Sequence, residues 1–324
     1  MNLQQLKYII AVDELRHFGK AAEKCHVTQP TLSMMIQKLE EELGATLFDR
    51  SKQPVIPTEI GNEIIAQARR VLKEVSDIPD LVHQYKGRIT GEIRIGIIPT
   101  LAPYLLPLFI QPFLEDYPEV ELIVTELLTE RIEEKLKAGT IDVGILVTPL
   151  HNKSLKEHPL FYEKFFAYVA DSHPLFDKTY ILAEDIDVNQ LWLLEEGHCF
   201  RSQIANLCEL KKAHMRHASF KYEAGSIETL KKFVEHNSGI TILPELTTLD
   251  MPPESRTMLR SFAKPEPVRE VSLVTHRSFL KKRLIDVLKN EIMDTVPDEI
   301  MRRGRPERIV EIRKQPLVKP EEAL

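Results

Sequence analysis

Two thiols and a histidine are the residues of this chain best placed to do chemistry. They fall in HCFRSQIANLC, residues 198–208, which holds Cys199 and Cys208, two of the three cysteines in 324 residues. A cysteine thiolate is a nucleophile, a metal ligand and a redox group. The separation of this pair suits neither a CxxC redox motif nor a zinc finger, so no metal or cofactor is expected. From Arg201 onward, RSQIANLCELKKA reads as a helix. Cys199 then lies just before its positive end, beside His198, and both features favour the thiolate. Cys208 lies among Ile204, Leu207 and Leu210, a buried apolar setting. Along a continuous helix the two Cα atoms would be roughly 13 Å apart, whereas a disulfide needs them within roughly 7 Å. A bond between them would require the segment to melt and rebuild, which suits a switch better than a staple. Taken alone, the spacing favours two ordinary core cysteines, since cysteine is among the most buried residue types. Cys25 shares a packed helix face with Ala22 and reads as core filler.

The elements that must position these groups belong to a chain too long for one compact core. It is 43% hydrophobic and 28% charged, ordinary for a globular protein. Its longest apolar run is far short of a membrane span. MNLQQLKYIIAVDELRHFGKAAEKC has no basic stretch ahead of a clean apolar block, so no signal peptide is expected. A cytoplasmic protein is the expectation, with no membrane partner, and a transport solute-binding protein is disfavoured. In the cytoplasm standing disulfides are rare and transient ones carry redox chemistry. The net charge of −6 argues for no nucleic-acid partner, so any such claim must rest on a local motif.

The first ninety residues hold one. LQQLKYIIAV has helical spacing, GKAAEKC places small residues on one face, and HVT makes a turn. TQPTLSMMIQKLEEELG is a second helix with Thr28 as N-cap, Pro30 in the first turn and Gly44 as the stop. Leu32, Ile36, Leu39 and Leu43 are its expected buried stripe. Gln29, Pro30, Thr31, Ser33, Met34, Gln37 and Lys38 are left for other faces. A short alanine-bearing helix, a tight turn and a polar-fronted second helix describe a helix-turn-helix, whose second helix enters the major groove. Arg50 and Lys52 follow in a short extended segment, like a wing that touches phosphate. An ordinary helical hairpin is the plainer reading.

From Thr58 a long helix carries Ile60, Ile64, Ala68, Val71, Val75, Ile78, Val82 and Tyr85 in steps of four and three. That period suits pairing of two chains, and Pro79 should kink or end the helix. Strands at GEIRIGIIPT, VELIVTEL and DVGILV alternate with helices at LAPYLLPLFIQPFLEDYP and TERIEEKLKAG. A second set follows: FFAYVAD, LWLLEE, the helix after Cys199, FKYEA, SIETLKKFVEHNSG and ITILP. REVSLVTHR and a helix near 279–294 close it. Such alternation implies parallel sheets in βαβ units. Thr100 and Thr129 sit where a strand ends and a helix begins, the edge at which open α/β sheets bind ligands. Both also read as helix N-caps.

AAEKCHVTQPTLSMMIQKLEEELGATLFDR followed by PTEIG resembles the winged helix-turn-helix of LysR-type transcriptional regulators. IPTLAPYLLP, EEGHCFRSQ and KPEPVR resemble the peroxide-sensing members of that family, over residues 1 to about 295. The resemblance implies an α+β and α/β multidomain chain. A winged helix-turn-helix would span 1–58 and a dimerising linker helix 59–89. A two-lobed, periplasmic-binding-protein-like effector domain would span 90–296. It implies that Cys199 attacks peroxide and that its sulfenic acid condenses with Cys208. Thr100, Thr129, His198 and Arg269 would line the peroxide pocket. Hydroxyls and an arginine there can hold the peroxide oxygens and stabilise the leaving hydroxide. The implied partners are a double-stranded DNA operator, hydrogen peroxide, further copies of the chain in a homodimer or homotetramer, and RNA polymerase.

Residues 297–324 go beyond the resemblance and read as a disordered basic tail. Their RGRP, with Arg303 and Arg305, is similar to the minor-groove core of AT-hook peptides. Two rivals remain: a LysR-type sensor of a small metabolite with inert cysteines, and a thiol peroxidase with an accessory DNA-binding domain. Peroxide stoichiometry separates them, because a switch needs only one turnover.

Overall fold

The computed structural model describes residues 1–85, 88–208, 224–277, 279, 282–304, 306 and 308–312. The chain divides into two compact units, Met1–Gly91 with Glu134–Ile141, and Glu92–Glu133 with Asp142–Leu324.

In the first unit, α1 (Leu3–Leu15), α2 (Phe18–Lys24) and α3 (Gln29–Leu43) precede two short antiparallel strands, β1 (Phe48–Asp49) and β2 (Ile56–Pro57). The long helix α4 (Glu59–Tyr85) follows. Local sequence sets the ends of α3. Thr28 Oγ1 accepts from the Thr31 amide, and Gly44 closes the helix in the left-handed region at φ 66°. Leu32, Ile36 and Leu39 are wholly buried against Ile9, Val12, Ala21, Leu47 and Phe48. Leu43, expected on the same stripe, is exposed, because the last turn runs past the core. Alanines at 21 and 22 leave room for the close approach of α2 to α3. Gly61 is required sterically: a Cβ there would lie 2.1 Å from the Leu47 carbonyl oxygen. Ile65 and Ala68 of α4 are buried in this core, while Ile60, Val75 and Ile78 are exposed on the single chain. The helix continues through Pro79 rather than ending there. The side chains of Val82 and Tyr85 lie outside the described residues.

The chain goes on with β3 (Gly91–Ile97), α5 (Ala102–Asp116), β4 (Val120–Glu126), α6 (Thr129–Ala138), whose second half is counted in the first unit, and β5 (Val143–Thr148). Next come β6 (Leu155–Val169), β7 (Tyr180–Ile181), α7 (Cys199–Leu207), α8 (Ile227–His236) and β8 (Ile240–Pro244). The chain ends with α9 (Pro253–Arg256), β9 (Leu259–Phe262), β10 (Val268–His276), α10 (Lys282–Thr295) and α11 (Asp298–Met301). The strands run in the order β4-β3-β5-β10-β6-β9-β7, with β8 also on β6.

β3 and β5 are parallel, as the alternation predicts, but β10 is antiparallel to both β5 and β6. The sheet is therefore mixed. The 15 residues of β6 serve both lobes. Leu155–Lys164 pair with β10, and Phe165–Val169 pair with β8. FFAYVAD is thus only the second half of a longer strand. LWLLEE forms only isolated bridges, Leu191 to Ile240 and Leu194 to Ala224. Most of FKYEA lies outside the described residues.

The segment past residue 296 does not behave as a tail up to residue 312. α11 forms, Val310 is buried, and Ile309 bridges to Val268. Two apolar residues and free backbone amides suffice to dock it on the effector unit. Arg303, an AT-hook candidate, is spent on Glu245, donating from Nη2 to Oε1 at 2.9 Å. Arg305 lies outside the described residues.

Candidate functional site

Cys199 is the first residue of α7, so the helix starts two residues earlier than Arg201. His198 is the N-cap, in extended backbone, and its side chain makes no capping bond. The thiol is therefore held at the end where unpaired amides point outward. Cys199, His198, Thr100, Thr129 and Arg269 are all buried. Cys208 is the C-cap of the same helix, half-buried, and packs on the cluster of Phe200, Ile204 and Leu207. All three cysteines are free. Leu210, expected beside Cys208, lies outside the described residues.

Arg269 is fixed from three sides. Its Nη1 donates to Thr100 Oγ1 at 3.0 Å and its Nη2 to the Thr100 carbonyl at 3.3 Å. Its Nε donates to Glu163 Oε1 at 2.8 Å. Its guanidinium lies 5.3 Å from the centroid of the Phe200 ring, one residue after Cys199. Glu163 Oε2 in turn accepts from the Leu246 amide at 3.0 Å. Glu163 is a residue the sequence reading missed. Its signal was its place between Phe161 and Phe165, the same face of β6, both buried.

Neither threonine is an N-cap. Leu101 occupies that position on α5, and Thr100 spends its hydroxyl on Arg269. Thr129 opens α6, and its buried Oγ1 has no other partner among the described residues than the Cys199 thiol it faces. It is a polar atom held in reserve beside the thiol.

The electrostatics differ from the sequence expectation. Burial pushes the Cys199 thiol up. The Thr129 hydroxyl, the Arg269 cation and the backbone amides of Cys199 and Phe200 pull it back only in part. His198 does not supply a charge: burial lowers its pKa against the pull of Glu195 and Glu126. Burial also pushes the Cys208 thiol up, to about 12. The site thus holds a buried, protonated thiol with the Thr129 hydroxyl, the Arg269 cation and backbone amides acting on it.

The helix-turn-helix face is separate in kind. Gln29, Pro30, Thr31, Met34, Gln37 and Lys38 of α3 are exposed, opposite the Leu32/Ile36/Leu39 stripe, and Ser33 is half-buried. Arg50 joins the wing to this helix. It donates to Glu40 Oε2 at 2.9 Å and to Ser33 Oγ at 3.2 Å, and stacks on Phe18. Lys52 stands 3.9 Å from Asp49. Both basic residues remain exposed but carry an acidic neighbour, which softens their pull on phosphate.

Residues 3–62 match the family described as "Bacterial regulatory helix-turn-helix protein, lysR family", and residues 86–296 the "LysR substrate binding domain". The "Hydrogen peroxide-inducible genes activator" of Haemophilus influenzae is 34% identical over 274 residues, covering 85% of this chain and 90% of that protein. The "DNA-binding transcriptional dual regulator OxyR" of Escherichia coli is 37% identical over 277 residues, covering 85% and 89%. A full-length OxyR variant from Pseudomonas aeruginosa superposes with a TM-score of 0.74 at 34% identity, covering 90% of this chain and 98% of that one.

Proposed function

The chain belongs to the LysR family of bacterial regulatory proteins, and from that premise we propose that it is a DNA-binding transcription regulator that senses hydrogen peroxide through Cys199 and Cys208. The observation that carries the reading is the buried thiol at the start of α7, beside the Thr129 hydroxyl. A thiol placed only to fill a core would not face a buried hydroxyl that has no other use.

The chemistry proceeds in two steps. The Cys199 thiolate attacks one peroxide oxygen, the O–O bond breaks, and hydroxide leaves and takes up a proton as water. Thr129 and His198 orient the peroxide, and Arg269 with Thr100 stabilises the developing charge. The sulfenic acid at Cys199 is then attacked by Cys208. The S–S bond forms, the S–O bond breaks, and a second water departs with the thiol proton. Because α7 holds the cysteines roughly 13 Å apart, this second step needs the helix to unwind. The rebuilt segment is the signal.

One turnover per switching event makes this a sensor rather than an enzyme. Gln29, Pro30, Thr31, Ser33, Met34, Gln37 and Lys38 read the operator, with Arg50 and Lys52 on phosphate. α4 pairs two chains, so that two recognition helices meet two half-sites. A homotetramer, contact with RNA polymerase and a cytoplasmic setting complete the reading. No helix among the described residues is long and apolar enough to cross a membrane.

The test is Cys199→Ser in cells. The peroxide response should vanish while DNA binding by the reduced form survives. Wild-type-like induction would remove the assignment.

A further inference from the structure

The family match ends at residue 296, yet the chain goes on to hydrogen-bond with α7. The Val268 amide donates to the Arg308 carbonyl at 3.0 Å, and the Val310 amide donates to the Val268 carbonyl at 2.8 Å. Val268 directly precedes Arg269. On the other side, Gln203 Nε2 donates to the Val310 carbonyl at 2.7 Å, and Asn206 Nδ2 donates to the Glu311 carbonyl at 2.7 Å. Val310 is buried in the same apolar cluster as Phe200, Ile204 and Leu207, against which Cys208 packs. Residues 308–311 therefore bridge β10, next to the pocket arginine, and the stretch of α7 between the two cysteines.

We propose that residues 308–311 form a strap that positions α7 and so governs the second step of the peroxide reaction, closure of the Cys199–Cys208 bond. The proposal rests on the peroxide-sensing reading. Gln203 is wholly buried, and its Oε1 has no partner among the described residues. Its amide nitrogen is satisfied by the strap carbonyl. Unwinding α7 beneath an intact strap would strand the Val310 carbonyl and the Gln203 amide in an apolar site, which is costly. Helix and strap must therefore come free together. The strap hydrogen bonds are lost before Cys208 reaches the sulfenic sulfur, so they add to the closure barrier. Their partners are Val268, Gln203 and Asn206 rather than Cys199, Thr129, Thr100 or Arg269, so the first step feels them least. Arg308 also pulls the Cys208 thiol down against burial. That effect drops out of the rate, because Cys208 attacks only after leaving its buried position.

The test uses full-length Val310→Asp, which ejects the strap while leaving every residue of α7 unsubstituted, and a chain stopped after Pro306. Two rates are read after a pulse of hydrogen peroxide: sulfenic acid at Cys199, trapped with a 1,3-diketone, and the Cys199–Cys208 disulfide, by acid quench and peptide mass. Amide exchange of 199–207 is read in the reduced protein. Sulfenic acid formation should stay within about twofold of wild type. Closure and α7 exchange should each quicken about tenfold or more, the share of two lost hydrogen bonds and a buried valine. Closure at the wild-type rate in both variants, or unchanged α7 exchange, overturns the strap. Equal changes in both chemical steps also overturn it, since they would mark general loosening. A wild-type chain that forms no Cys199–Cys208 bond overturns the functional reading instead, and the exchange arm still shows whether the strap holds α7.

Discussion

Arg269 donates from Nε to Glu163 Oε1 at 2.8 Å, and neither side chain has any exposed surface. A buried ion pair of this kind contributes little against a well-packed apolar replacement, but breaking it from one side leaves a buried charge without a counterion. Here the pair serves geometry: it aims the guanidinium at Thr100 and lays it near Phe200, the residue after the reactive thiol. Glu163→Ala should therefore destabilise the effector unit by about 3–5 kcal/mol. Urea unfolding of the purified variant measures this. A loss under about 1 kcal/mol would mean that Arg269 is held by its other partners.

The pH dependence of the first step follows from the raised thiol. Thiolate is the nucleophile, and burial holds Cys199 above its ordinary pKa. At neutral pH the thiolate is the minor form, so the rate should climb about tenfold per pH unit between roughly 6.5 and 8.5. His198, whose pKa burial lowers, stays neutral across that range and adds no second slope. Stopped-flow peroxide reduction at several pH values checks this, and a flat profile would contradict it.

Cys208→Ser should still react with peroxide but stop at the sulfenic acid. Cys199 has its own pocket, and its attack does not need the partner. Excess oxidant should then carry the sulfenic acid further up the oxidation ladder, and the switched DNA-binding state should be lost or short-lived. A sulfenic-acid probe, with a protease-sensitivity map of 198–215, reads both halves. The same oxidised cleavage pattern as wild type would show that oxidation of Cys199 alone suffices.

Gln29→Glu and Ser33→Glu should each lose affinity for the duplex that wild-type protein selects from a random-sequence pool. Neither position lies on the Leu32/Ile36/Leu39 stripe, so the fold should survive. An acid at 33 also meets Arg50, which already touches Ser33 Oγ, and would draw that cation further from phosphate. Anisotropy titrations beside circular dichroism decide the point; unchanged binding by both variants would place the DNA face elsewhere.

What the sequence made legible is what local rules control. Thr28 and Gly44 delimit α3 because a capping hydroxyl and a left-handed glycine are local devices. The helical hairpin of the DNA-binding unit follows from spacing and small residues. Less local features escaped. The length of β6 is set by β10, a strand more than a hundred residues away in the chain, and Pro159 hides it. Glu163 reads as a solvent-facing acid until its counterion from β10 is known. The direction of the Cys199 shift depends on burial in the folded unit, which a helix-end argument cannot weigh. The strap was obscured by the charges around Ile309 and Val310.

The most direct measurement is peptide mapping of the full-length reduced protein after one equivalent of hydrogen peroxide, digested in acid without reductant. The account predicts an intramolecular bond between Cys199 and Cys208 with Cys25 left free. Cys199 found unmodified, or joined to any thiol other than Cys208, would contradict it.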